Sequence, residues 1–115
     1  MSVEIYHNPR CSKSRQTLQL LQDQGVEPEV VEYLKTPPDK ATLKRILKML
    51  GLEPRALMRT KEAEYKEQGL DDPALTREQL IDAMIATPKL IERPIVIKDG
   101  KAAIGRPPEK VLEIL

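Results

Sequence analysis

The sequence predicts an α/β fold with a mixed sheet, in the order β-α-β, helical segment, β-β-α, and three observations carry that prediction. An alternating run at residues 3–6, a stretch from Ser12 to about Gln24 free of glycine and proline, and a β-branched run at residues 29–33 imply a parallel crossover unit. Residues 39–86 then hold apolar positions at helical spacing. Finally, Pro94-Ile95-Val96-Ile97, Asp99-Gly100 and Lys101 to Ile104 read as a hairpin with a tight turn.

Each element has a local cause. Val3-Glu4-Ile5-Tyr6 alternates apolar and charged residues, and His7-Asn8-Pro9 ends the strand because proline has no N–H for the ladder. The following helix places Thr17, Leu18 and Leu21 on one face and stops at Gly25, a suitable C-terminal cap. Glu29 to Tyr33 is bounded by Pro28 and by Thr36-Pro37-Pro38. Asp39 to Leu50 carries Leu43, Ile46, Leu47 and Leu50 on one face and closes at Gly51. A short helix is expected around Thr60 to Gln68. A longer one runs from Thr76 to Ala86, where Thr76 with Gln79 forms a capping box and Leu80, Ile81, Met84 and Ile85 form the apolar set. Pro107 to Leu115 is expected as a closing helix with proline in its first turn. No repeat, low-complexity tract or linker divides the chain, so residues 1–115 read as a single domain with the element order of a thioredoxin-like fold carrying a helical insertion.

Composition narrows the function. The chain has 115 residues, 19 Lys+Arg against 18 Asp+Glu and three aromatic residues, all Tyr. It lacks both the basic footprint and the stacking platforms of a nucleic-acid binder. No apolar run approaches the roughly 20 residues that span a bilayer, and the N-terminus has no signal-peptide pattern. The expected location is therefore the cytoplasm, without a membrane partner. One cysteine excludes an intramolecular disulfide and a multi-thiolate metal site, and one histidine excludes paired-histidine ligation.

Cys11 falls at the predicted junction of strand and helix, where unpaired N–H groups and the helix dipole favour a thiolate. Arg10, Lys13 and Arg15 add positive charge, His7 lies four residues upstream, and Ser12 and Ser14 supply hydroxyls. Free cysteine is often a small core hydrophobe. The polar residues on both sides of Cys11 argue instead for a reactive thiol. Cys11-Ser12-Lys13-Ser14 is a Cys-x-x-Cys motif with serine in the second place. Such a thiol can form an adduct or a mixed disulfide but needs an external thiol to resolve it.

Four segments together resemble the glutaredoxin-coupled arsenate reductase family, in its chromosomal branch: His7 to Arg15, Leu57-Met58-Arg59, Leu90 to Val96, and Gly105-Arg106-Pro107-Pro108-Glu109. The resemblance covers essentially the whole chain. It implies a thioredoxin-like fold, Cys11 as nucleophile, Arg59, Arg93 and Arg106 as oxyanion-binding arginines, and His7, Ser14 and Arg15 as residues that keep the thiolate ionised. It also makes Pro94 a cis-proline candidate. Guanidinium forks suit tetrahedral oxyanions because they bind bidentately and stay charged. The implied activity is reduction of arsenate to arsenite, with glutathione as co-substrate and glutaredoxin as partner, no tightly bound cofactor, no metal, and a monomeric chain. Two alternatives share the features: a glutathione-dependent thiol oxidoreductase, and an Spx-like regulator that binds RNA polymerase without catalysis.

Overall fold

A computed structural model describes residues 2–115. The chain falls into two compact units, one built from the segment up to Thr36 together with Arg93–Leu115, the other from Pro37–Glu92.

The first unit contains the whole sheet. Strands β1 (Val3–Tyr6), β2 (Glu29–Val31), β3 (Ile95–Lys98) and β4 (Lys101–Ile104) lie in the order β2-β1-β3-β4. β1 pairs parallel with β2 and antiparallel with β3, and β3 pairs antiparallel with β4. This is the expected mixed sheet. Helix α1 (Ser12–Asp23) makes the crossover from β1 to β2. Its Leu21 packs with Val3, Ile5, Val96 and Val111 in a shared core, and each fully buried aliphatic side chain stabilises the fold by about 1.5–3 kcal/mol. β2 ends two residues earlier than the sequence suggests, because Lys35 and Thr36 donate their N–H groups to the Glu32 carbonyl in a turn. At Asp99 and Gly100 φ is positive at both positions, the geometry of a two-residue hairpin turn.

The closing segment differs from the expected α-helix: Pro108–Ile114 is a 3-10 helix. Pro107 and Pro108 remove two amide donors from its start, and Lys110 N–H reaches back only three residues, to the Pro107 carbonyl.

The second unit is helical, with α2 (Lys40–Leu50), α3 (Pro54–Leu57), α4 (Ala63–Glu67) and α5 (Arg77–Ala86). Asp39 caps α2 through Thr42 N–H, and Gly51 ends it in the left-handed conformation. Thr76 and Gln79 form the anticipated capping box at α5. Leu43, Ile46, Leu47, Leu80, Ile81 and Met84 are buried, whereas Leu50 and Ile85 are only half-buried. The helix expected over residues 60–68 is shorter, and α3 and a 3-10 turn at Pro88–Leu90 were not anticipated. Both extra elements are single turns begun by a proline, too short for periodicity to register.

No helix of the described residues is long and apolar enough to cross a membrane.

Candidate active site

The end of β1 delivers the chain into a loop fastened from several directions. His7 N–H continues the parallel pairing by donating to Val31 O at 2.8 Å. Asn8 Oδ1 accepts from Arg10 N–H, and Asn8 O accepts from Cys11 N–H, each at 3.0 Å. Arg15 Nη1 donates to Pro9 O at 2.9 Å, which braces the outer side of the loop. Cys11 thereby becomes the N-cap residue of α1, with extended backbone at φ −95° and ψ 123°.

Its side chain stands at the N-cap position without making a capping hydrogen bond. Partial burial pushes the Cys11 thiol up. Opposing it are the Ser14 backbone N–H, then the hydrogen bond and charge of the Arg93 guanidinium, then the Lys13 N–H, and together they bring the thiol below its ordinary value. Arg106 Nη2 is 3.7 Å from Sγ. These donors stabilise the anion and not the neutral thiol, so the sulfur is poised as a nucleophile.

The two arginines reach Cys11 through the hairpin register. Ile95 pairs with Ile104, and the next position outward brings Gly105 N–H to Pro94 O at 2.9 Å. One step further, Arg93 stands opposite Arg106, whose Nε donates to Arg93 O at 2.8 Å. The Arg93–Pro94 and Arg106–Pro107 peptides are both cis.

Ser14 and His7 act differently from what their side chains suggest in the sequence. The Ser14 hydroxyl forms a buried pair with His7 Nδ1 at 2.7 Å and also accepts from Asn8 N–H at 3.0 Å. Burial lowers the His7 pKa, Glu32 raises it and Arg15 lowers it again, with a net fall below 6.5. The hydrogen bond between His7 Nδ1 and the Ser14 hydroxyl runs in the direction set by the imidazole tautomer. Ser14 thus serves Cys11 through its backbone N–H while its side chain locks the loop to the helix.

Arg59 belongs to the second unit. Its backbone is fixed by N–H donation to Leu90 O at 2.7 Å, and its side chain donates from Nε to Glu62 at 3.0 Å and from Nη1 to Glu92 at 2.9 Å. Neither carboxylate was anticipated from the sequence: Glu62 stands three residues beyond Arg59, whereas Glu92 is brought near by a Met58–Ile91 bridge between distant segments. Among the described residues no cluster of three His, Cys, Asp or Glu side chains could hold a metal ion.

A thiol at the mouth of a helix, a mixed four-stranded sheet, and a cis-proline with arginines facing the sulfur define a thioredoxin-like protein of thiol chemistry. More narrowly, the chain belongs to the ArsC family, whose match spans residues 6–114. It is 64% identical to the uncharacterized protein YfgD of Escherichia coli K12, over 98% of this chain and 96% of that one. It is 52% identical to an arsenate reductase of Neisseria meningitidis serogroup A, over 98% of this chain and 97% of that one. The structure of an arsenate reductase from Vibrio cholerae superposes with a TM-score of 0.98 at 59% identity, covering 100% of this chain and 98% of the other.

The electrostatics of Cys11 make a direct prediction. The rate of alkylation against pH should rise with a midpoint below the ordinary thiol value of about 8.5, and Arg106→Ala should move that midpoint upward. A midpoint at or above the ordinary value in the native protein would remove the thiolate from the site.

Proposed function

We propose that this chain is an arsenate reductase, an oxidoreductase that uses the Cys11 thiolate with glutathione and glutaredoxin as external reductants. The observation that carries the reading is the sulfur itself, at the N-cap of α1 with Arg106 Nη2 3.7 Å away and its thiol held below the ordinary value by the Ser14 N–H, the Arg93 guanidinium and the Lys13 N–H. Membership of the ArsC family and the arsenate reductases among its relatives supply the substrate.

In the proposed reaction, the thiolate attacks As(V), and an arsenate oxygen leaves as water or hydroxide while Arg59, Arg93 and Arg106 hold the negative charge. A covalent thioarsenate remains on Cys11. The glutathione sulfur displaces a second arsenic oxygen as water or hydroxide, and the glutaredoxin thiolate then attacks that sulfur, taking the glutathione as a mixed disulfide and leaving two electrons on arsenic. Water cleaves the remaining bond between arsenic(III) and Cys11, so that arsenite leaves and the Cys11 thiol is restored. His7, Ser14 and Arg15 keep the loop around the sulfur in shape. The reaction calls for no metal and no tightly bound cofactor, and a monomer in the cytoplasm suffices for it.

The test is arsenite production from arsenate by the purified protein, with glutathione and glutaredoxin added separately and together. Arsenite should form in quantity only with both. Faster turnover of a glutathione mixed disulfide than of arsenate would assign the site to thiol exchange instead.

A further inference from the structure

Arg59 is held more elaborately than a surface arginine. Its side chain and those of Glu62 and Glu92 are 22%, 22% and 25% exposed, so all three are largely shielded. Glu62 is itself steadied by Lys89, which lies 3.6 Å from Glu62 Oε2 and 2.9 Å from Glu64 Oε2. The backbone does not need this cluster: Arg59 N–H to Leu90 O, Glu92 N–H to Leu57 O at 2.8 Å, and the Met58–Ile91 bridge already join the two segments. What the carboxylates fix is the orientation of a long, otherwise rotatable side chain.

The arrangement costs something electrostatically. Two carboxylates beside a guanidinium oppose the approach of an anion, so a site selected for charge alone would not contain them. Burial lowers the Arg59 pKa, and the hydrogen bond and charge of Glu62 and the charge of Glu92 more than reverse this, so the group stays protonated. The hydrogen bonds occupy Nε and one hydrogen of Nη1, which sets the plane of the fork and leaves its Nη2 edge oriented.

Resting on the reading of Arg59 as an oxyanion arginine, we propose that Glu62 and Glu92 are positioning residues that hold its guanidinium in one fixed orientation by hydrogen bonding and not by charge. Orientation of a binding group in advance lowers the entropy lost when the substrate arrives. The carboxylates touch the arginine and act only through it.

Steady-state arsenate kinetics with glutathione and glutaredoxin test this on Arg59→Ala, Glu92→Ala, Glu92→Gln, Glu62→Ala and Glu62→Gln, with the Cys11 alkylation profile measured for each. Loss of one charge-assisted hydrogen bond should raise KM for arsenate about tenfold in either alanine variant, with kcat changed less than about twofold. Glutamine keeps an acceptor oxygen and should restore KM to the native value or below it, and the alkylation midpoint should stay constant throughout. Equal impairment by glutamine and alanine, or a fall in kcat with KM unchanged, overturns the positioning role. If Arg59→Ala itself leaves KM unaltered, the reading of Arg59 as a substrate residue fails, and the proposal with it.

Discussion

Cys11→Ser should abolish arsenite formation while leaving the protein as stable as before. The hydroxyl of serine is not ionised near neutral pH, so the N–H groups of Lys13 and Ser14 and the guanidinium of Arg93 would surround a group that cannot attack arsenic. Turnover should fall by more than about a thousandfold. Serine is also among the preferred N-cap residues, and Cys11 is the N-cap of α1. The variant should therefore melt at the native temperature or slightly above it, which separates lost chemistry from lost folding. Activity within about tenfold of native would refute covalent participation of this residue.

Gly105→Ala should cause the largest loss of stability among conservative substitutions near the site. A Cβ at position 105 would sit 2.5 Å from Thr17 Oγ1 and 2.8 Å from Pro94 Cγ. Neither neighbour can yield cheaply. Thr17 is fully buried and its hydroxyl donates to Lys13 O at 2.8 Å, while Pro94 is a closed ring whose carbonyl accepts from Gly105 N–H at 2.9 Å. The requirement here is space, unlike Gly51 or Gly100, where positive φ is the reason for glycine. Overpacking of this kind costs about 2–3 kcal/mol, or roughly 8–15 °C in Tm for a chain of this size. Thermal denaturation checks the figure, and adding Thr17→Ala should recover part of the loss. A shift under about 2 °C, or strict additivity of the two changes, would mean that the contact is not tight.

Much of the sheet was legible because its signals are local. Alternation at Val3–Tyr6, the Asp99-Gly100 turn and the capping box at Thr76 each specify structure within a few residues. The turn goes further than secondary structure: once Asp99-Gly100 fixes the register, Arg93 must fall opposite Arg106. By contrast, the single turns at Pro54–Leu57 and Pro88–Leu90 contain too few residues to show a period. The role of Ser14 was also hidden, since sequence names a hydroxyl without saying which way it turns, and here it turns to His7. Arginines posed the hardest case. Arg55 is spent on the Tyr65 hydroxyl and the carbonyls of Leu70 and Asp72, whereas Arg59 is held by carboxylates. Nothing in the residues beside either one distinguishes them, and only the resemblance to the arsenate reductase family singled out Arg59.

The first unit is discontinuous, with its opening 36 residues completed by a segment that begins at Arg93. A chain growing from its N-terminus therefore adds the cysteine and the residues of the helix and the parallel strand pair long before it adds the two arginines that face the sulfur. Until β3 pairs with β1, neither guanidinium is held at Cys11. Its full nucleophilicity is acquired last, so an unfinished chain carries a less reactive thiol than the completed protein.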